Sequence, residues 1–425
     1  MRKIKVTLIV AIISLFSVTG YAAKFYDIDK PSVKKTKIYV SVQKSSPLNR
    51  LFTKSLKDIL NRSLLFKLSN SKNNTDFSLT MENSIEAGSI IVVLKAGPST
   101  KFTPKTIGVR FRDKDPYYLK LKAAQLGNRV LKELFGIKGS FGSSIIWSNT
   151  ENSRKILYQS TFGIDDSMEQ ISYNLFTNYG VKWSPDKKHI VYTSHTVKGT
   201  AIMLQQINPL KLKTVSIFPD MGKASSPDWA TDGTIFLTIH KSEQNSDIVQ
   251  YRLKESANSS SNSLEKVRNW TFDKTIETEA KVSPDGKSMV YVSDQTAAPQ
   301  LYLMNLKTGK AKRLTKRGNY NVTPVWSPNG KMIAYRAIRN RVSSIFRINV
   351  KSGVEKRITP LNINAESPTW SPDGSLIAFS GVPAGKDKSI QKIYYMSASG
   401  GEYRRVETSS NQENQTNPSW GPALR

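Results

Sequence analysis

Six copies of one short pattern constrain this chain more than any other feature. Val181-Lys-Trp183-Ser-Pro-Asp186 is followed by apolar His189-Ile-Val-Tyr192, and Pro227-Asp-Trp229-Ala-Thr-Asp-Gly233 by Ile235-Phe-Leu237. Lys281-Val-Ser-Pro-Asp-Gly286, Pro324-Val-Trp326-Ser-Pro-Asn-Gly330 and Pro368-Thr-Trp370-Ser-Pro-Asp-Gly374 each lead into a similar β-prone run, and Pro418-Ser-Trp420-Gly-Pro422 is the sixth copy. The position held by Trp183, Trp229, Val282, Trp326, Trp370 and Trp420 advances by 46, 53, 44, 44 and 50 residues. Short strands at a period near 45 are the spacing of propeller blades. Ser-Pro-Asp-Gly is turn chemistry: proline presets φ, aspartate bonds its own backbone, and glycine accepts positive φ. Third strands such as Gln300–Asn305 and turns such as Lys307-Thr-Gly309 complete the better units, and the aromatic is expected to seal neighbouring blades.

The last unit stops after one strand, so its other three are expected at the front of the repeat region. Ser143–Trp147, Lys155–Ser160 and Gln170–Phe176 are three β-prone segments there. Pairing them with Pro418-Ser-Trp420 closes a ring without a free sheet edge. The expectation is mainly β: a six-bladed β-propeller over residues 143–425, preceded by a small α/β domain.

That domain is expected over 23–139. Lys37–Val42, Phe77–Met81, Ser89–Ala96 and Thr106–Arg112 read as strands. Leu48 to Leu64 after Pro47, and Tyr117 to Phe135 before Gly136, recur at helical spacing. The Gly-rich joint 136–142 is compatible with a hinge and equally with a fixed connection. Ahead of the domain, Arg2, Lys3 and Lys5 precede apolar Val6–Val18 and small residues near Ala22-Ala23. This is the layout of a secretory signal peptide over residues 1–22, cleaved after Ala22 or Ala23. The apolar run is about 13 residues, short of the roughly 20 a membrane span needs.

Net charge is +30, from 63 Lys and Arg against 33 Asp and Glu, and loss of Arg2, Lys3 and Lys5 lowers it to +27. The cations are dispersed, and no nucleic-acid signature accompanies them. With no cysteine, disulfide scaffolds and thiolate metal centres are excluded, and with only His189, His195 and His240 a multi-histidine metal centre is not expected. No G-x-S-x-G or G-x-G-x-x-G occurs, and the Gly286-Lys-Ser288 run belongs to a repeat turn. No catalytic residue, cofactor or metal is expected.

A closed ring has one special surface, the mouth of its axial funnel. The residues opening each innermost strand line it: Tyr179 and Gly180, Ser225 and Ser226, Thr278 and Glu279, Val322 and Thr323, Glu366 and Ser367, Thr416 and Asn417. Mostly small and polar, they suit docking of a protein surface. An exported propeller enzyme or glycan-binding lectin is the alternative, with Glu279 and Glu366 as its available acids.

Signal peptide, α/β domain, Gly-rich joint and six signatures together resemble the TolB family, periplasmic propeller proteins of the Tol-Pal system; Lys132-Glu-Leu-Phe-Gly-Ile-Lys-Gly-Ser-Phe141 looks like the family's inter-domain junction. The resemblance implies a monomeric, non-enzymatic periplasmic adapter. It would bind Pal, the peptidoglycan-associated lipoprotein, at the funnel and reach the outer membrane through it. It would contact TolA through the mature N-terminal segment, and would support outer-membrane integrity and cell division. The family places Pal contacts three, four and six positions before blade aromatics, which here adds Lys223 to Ser225, Ser226, Thr278 and Glu279. The corresponding TolA segment is Lys24, Phe25, Tyr26, Asp27, Ile28 and Asp29.

Overall fold

A computed structural model describes residues 35–43, 45–83, 85–98, 100–207, 210–218, 222–254, 263–387, 390–407 and 414–423. Residues 1–22 and 24–29, the expected signal peptide and TolA segment, lie outside them.

The N-terminal region is a five-stranded mixed sheet with two helices. Its strands are β1 (Thr36–Val42), β2 (Phe66–Leu68), β3 (Phe77–Met81), β4 (Ser89–Ala96) and β5 (Lys105–Arg110), in the order β2-β1-β3-β4-β5. β1 pairs parallel with both β2 and β3, and the rest is antiparallel. The sequence reading missed β2, whose three residues are too few to display a period.

Helix α1 (Pro47–Arg62) starts where Ser46 Oγ accepts the Asn49 N–H and Pro47 supplies a fixed φ. Helix α2 (Pro116–Phe135) starts where the Asp115 side chain accepts the N–H groups of Tyr117 and Tyr118. It ends at Gly136, whose φ of 70° is the left-handed value of a helix stop. Phe52, Leu56, Ile59 and Leu60 of α1 and Leu119, Ala123, Ala124 and Val130 of α2 share one core with Ile38, Leu79 and Val92 of the sheet. The helices approach so closely that a Cβ on Gly127 would stand 2.4 Å from Ile59 Cγ2.

The rest is six four-stranded antiparallel sheets. Their innermost strands are Thr177–Trp183, Ala224–Trp229, Glu277–Val282, Asn321–Trp326, Ile363–Trp370 and Asn414–Trp420, which we number as blades 1 to 6. Each inner strand touches the next, and the sixth touches the first, so the ring is closed. Blade 6 joins both ends of the repeat region: Asn414–Trp420 pairs with Ser144–Glu151, followed by Arg154–Thr161 and Glu169–Gln170. The expected third segment, 170–176, keeps only its first residue in a strand. The ladder stops because Ser172 Oγ accepts the Leu157 N–H and Asn174 Oδ1 accepts the Phe176 N–H, turning the chain toward blade 1.

The repeat works as its chemistry dictates. In blade 3, Ser283 Oγ donates to Asp285 at 2.6 Å, Asp285 accepts the Lys287 N–H, and Gly286 takes φ 70°. The indoles bond across blades: Trp326 Nε1 donates to the Lys281 carbonyl at 2.8 Å and Trp370 Nε1 to that of Val325 at 3.2 Å.

The joint at 136–142 is fixed. Asp373, in the blade 5 turn, accepts the Gly139 N–H at 2.9 Å and the Ser140 hydroxyl at 2.7 Å. Phe162 stacks on Phe141 at 5.1 Å and meets Tyr395 and Trp420 edge-on at 5.0 and 4.7 Å. Arg62 of α1 forms a two-pronged ion pair with Asp165, and Lys35 bonds Glu402 at 2.6 Å. The α/β region therefore sits on the turn-bearing face of blades 5 and 6. Among the described residues no helix is long and apolar enough to cross a membrane.

Candidate functional site: the funnel mouth

Inner strands begin at one face of the ring and run to the Ser-Pro-Asp-Gly turns on the other. The starting face also carries the hairpins between second and third strands and the connections between blades. It lies opposite the α/β region. The predicted residues Ser225, Ser226, Thr278, Glu279, Val322, Thr323, Glu366, Ser367, Thr416 and Asn417 all occupy this end of their inner strands, and exposed Lys223 immediately precedes the second.

Every inner strand is bulged there. Pairing with the second strand slips between Tyr179 and Lys182, Ser225 and Asp228, Thr278 and Lys281, Val322 and Val325, Glu366 and Thr369, and Thr416 and Ser419. Inside each slip one residue is left-handed: Gly180 (φ 69°), Ser226 (51°), Glu279 (54°), Thr323 (51°), Ser367 (53°) and Asn417 (54°). Each stands three positions before the aromatic position. A glycine would take this conformation freely, yet five of the six are not glycine, and each such residue costs about 1–2 kcal/mol. Strain that recurs at one surface is a mark of a working surface.

Two pairs of neighbouring bulges are bonded directly to one another. The Glu279 carboxylate accepts the Thr323 N–H at 2.6 Å, and Asn417 Nδ2 donates to Ser367 Oγ at 3.2 Å. Thr238 and Thr278 hydroxyls lie 3.0 Å apart, and Ser225 Oγ is 2.8 Å from His240 Nε2. Burial holds the His240 imidazole below its usual range, toward the neutral form.

Charges descend into the funnel at the position before the aromatic. Lys182, Asp228 and Lys281 occupy it in three consecutive blades, with Lys281 Nζ 3.7 Å from Asp228. Burial, then repulsion from Lys281, brings Lys182 down to about 8. Burial likewise raises Asp228 and Glu279 above the usual carboxylate range, against the pull of both lysines. Two ammonium and two carboxylate groups thus act on one another within the funnel. At the rim, Arg336 Nη1 meets Glu366 at 3.0 Å, and Gln391 also donates to Glu366. Burial lowers Lys155 beside that carboxylate.

Around the mouth stand largely exposed apolar side chains. Tyr173, Leu175, Phe272 and Leu361 lie on the connections between blades and Val197 on a hairpin; they account for five of the nine exposed large hydrophobics among the described residues. Sequence reasoning did not single these out. An exposed Phe in a loop carries no local signal until the fold shows which loops share a face.

Among the described residues no three His, Asp or Glu side chains gather to hold a metal ion. His189 lies near Asp186 in the first turn, on the other face. A polar cavity of about 390 Å³ opens between α1 and blades 5 and 6, lined by Asp58, Arg62, Phe162, Asp165, Tyr395 and Arg404.

Residues 131–424 match the family described as TolB beta propeller domain (PD40). A "Protein TolB homolog" from Chlorobium luteolum (strain DSM 273 / BCRC 81028 / 2530) is 29% identical over 183 residues, 43% of this chain. That match spans only 39% of the curated relative's own length. The crystal structure of TolB from Acinetobacter baumannii aligns over 92% of this chain and 98% of its own, with a TM-score of 0.75 and 20% identity, a likeness of fold. Putative TolB from Agrobacterium tumefaciens aligns over 67% of this chain and 100% of its own, at 19% identity and a TM-score of 0.48. With the family match covering most of the chain and all six blades in place, this chain belongs to the TolB beta propeller family.

Proposed function

We propose that the chain is a non-enzymatic scaffold of the Tol-Pal system, working in the periplasm. It binds Pal at the funnel mouth and TolA through residues 24–29, supporting outer-membrane integrity and cell division. The division into a leader of residues 1–22, an α/β unit over 23–139 and a propeller over 143–425 belongs to the same reading. The observation that supports it is the gathering of exposed apolar side chains on the mouth face, around six bulges, five of which hold a non-glycine residue at positive φ. Such a surface gains by excluding water against a partner of matching shape. The two candidate acids, Glu279 and Glu366, are engaged by Thr323 and Arg336 respectively, an arrangement suited to fixing a surface.

The test mixes purified residues 24–425 with the soluble domain of the Pal-type lipoprotein from the same genome and measures heat of binding. A complex at micromolar concentrations is expected, and none at tens of micromolar would overturn the reading. Protease cleavage within residues 24–35, compared with and without that domain, checks the N-terminal segment. Unchanged cleavage would separate that segment from events at the mouth.

A further inference from the structure

The rim of the mouth is not electrically uniform. Where blade 3 passes into blade 4, residues 315–321 carry Lys316 and Arg317, and the adjoining hairpin, residues 336–343, carries Arg336, Arg339 and Arg341. Neither segment contains an aspartate or glutamate. Arg336 is matched by Glu366. Arg339 is turned inward: it donates to the Arg317 carbonyl at 2.6 Å, to Asn321 Oδ1 at 2.8 Å and to the carbonyls of Tyr320 and Ile338. Lys316, Arg317 and Arg341 are exposed, and no carboxylate among the described residues pairs with them.

The loop bearing Lys316 and Arg317 is held stiffly. Besides Arg339, Asn321 Nδ2 donates to the Arg317 carbonyl at 3.1 Å and Gln300 Nε2 to the Gly318 carbonyl at 3.0 Å. Gly318 is left-handed, and a Cβ there would fall 2.2 Å from the Arg339 guanidinium. The neighbouring hairpin turns on Asn340 (φ 52°) and Arg341 (φ 64°), a two-residue turn in which glycine is the favoured second residue. An arginine held in that conformation costs stability, and its exposed side chain returns none of it through contacts within the chain. The backbone that carries three uncompensated cations is thus set before anything binds, which removes the loop's share of the ordering cost of binding.

We propose that this sector is a pre-organised recognition surface for acidic side chains of the protein that docks at the mouth. The inference rests on the docking reading above and specifies the partner's chemistry: carboxylates on the edge that faces blades 3 and 4. Continuity supports it, because Asn321 leads directly into Val322 and Thr323 of the mouth. Like-signed charges on such a rim act on encounter rate and on salt dependence more than on the packed centre.

The test uses residues 24–425 and the same Pal-type soluble domain at low and high sodium chloride. The triple variant Lys316→Glu/Arg317→Glu/Arg341→Glu is expected to bind about tenfold more weakly, with a flatter salt dependence. The triple variant Lys307→Glu/Lys351→Glu/Lys356→Glu, away from this sector, is expected to stay within about twofold of wild type. Arg341→Gly adds a readout that does not depend on tolerance of reversed charge: its thermal midpoint should rise while binding weakens. Wild-type binding that is indifferent to both the rim triple and Arg341→Gly overturns this inference and leaves the docking reading standing. Absence of any wild-type complex overturns the docking reading and this inference with it. Adsorption of the wild type to phosphatidylglycerol vesicles, lost in the rim triple while Pal-domain affinity is unchanged, would assign the sector to lipid and overturn the proposal.

Discussion

The Glu279 carboxylate accepts the Thr323 backbone N–H at 2.6 Å, so the left-handed residue of blade 3 holds the left-handed residue of blade 4. Burial raises this carboxyl above its ordinary value near 4.5. The folded state therefore binds the proton more tightly than the unfolded state. This favours folding at acid pH, and the advantage fades as pH rises through the folded-state value. Glu279→Gln keeps an oxygen acceptor for Thr323 and removes the titration. Melting curves from pH 4.5 to 8 should show the variant gaining on the wild type as pH rises. A constant gap across that range would mean that burial of this carboxyl has no weight.

Relief of backbone strain is separable from loss of contacts. Thr323 is β-branched and left-handed, an unfavourable pairing, and its N–H bond survives removal of the side chain. Thr323→Gly is expected to stabilise the chain by about 1 kcal/mol in denaturant titrations. At the equivalent position of blade 1, Gly180→Ala should cost about the same amount.

Phe162 is the hub of the contact between the α/β region and the propeller, touching Phe141, Tyr395 and Trp420. Phe162→Ala should destabilise by about 3–5 kcal/mol. It should also expose residues 136–142 to limited proteolysis, because the stack helps Asp373 to hold the joint. A single cooperative transition with the joint still resistant would argue against this hub.

Closure of blade 6 depends on a strand that lies more than 250 residues from its partner in sequence, Asn414–Trp420 against Ser144–Glu151. Ending the chain at residue 413 leaves the second strand of that blade as a bare hydrophobic edge. Sedimentation should show aggregates in place of a monomer.

Phe272 and Leu361 are 73% and 68% exposed. Phe272→Asp and Leu361→Asp should therefore leave the melting temperature unchanged. If the mouth docks a protein, each should weaken the complex by about tenfold in calorimetry. A loss of stability would instead mark them as part of the core.

What the sequence disclosed follows from where its information is local. The Ser-Pro-Asp-Gly-type turns and the position three past each bulge, aromatic in five of six blades, repeat in register, so blade number and the two-ended sixth blade are legible in the sequence. The α/β strands and helices were legible from period and caps, except β2, which has no period to show. The joint was ambiguous because Asp373 and Phe162, which fix it, look like an ordinary turn acid and an ordinary loop aromatic. The mouth residues could be named but not their conformation: Ser226, Glu279, Thr323 and Ser367 give no sign of positive φ, and only Gly180 and Asn417 are of types that suggest it. The pairing of Lys281 with Asp228 and the grouping of Phe272 with Leu361 exist only once the ring is closed.

The Lys35–Glu402 contact sets a leash. It ties the start of the described chain to blade 5 on the turn-bearing side. The stretch from residue 24 to residue 35 extends at most about 40 Å. If residues 24–29 bind a partner, covalent geometry keeps that partner within about this distance of Lys35. A tug on this stretch would pass along the backbone into β1, which starts at Thr36, the residue after Lys35.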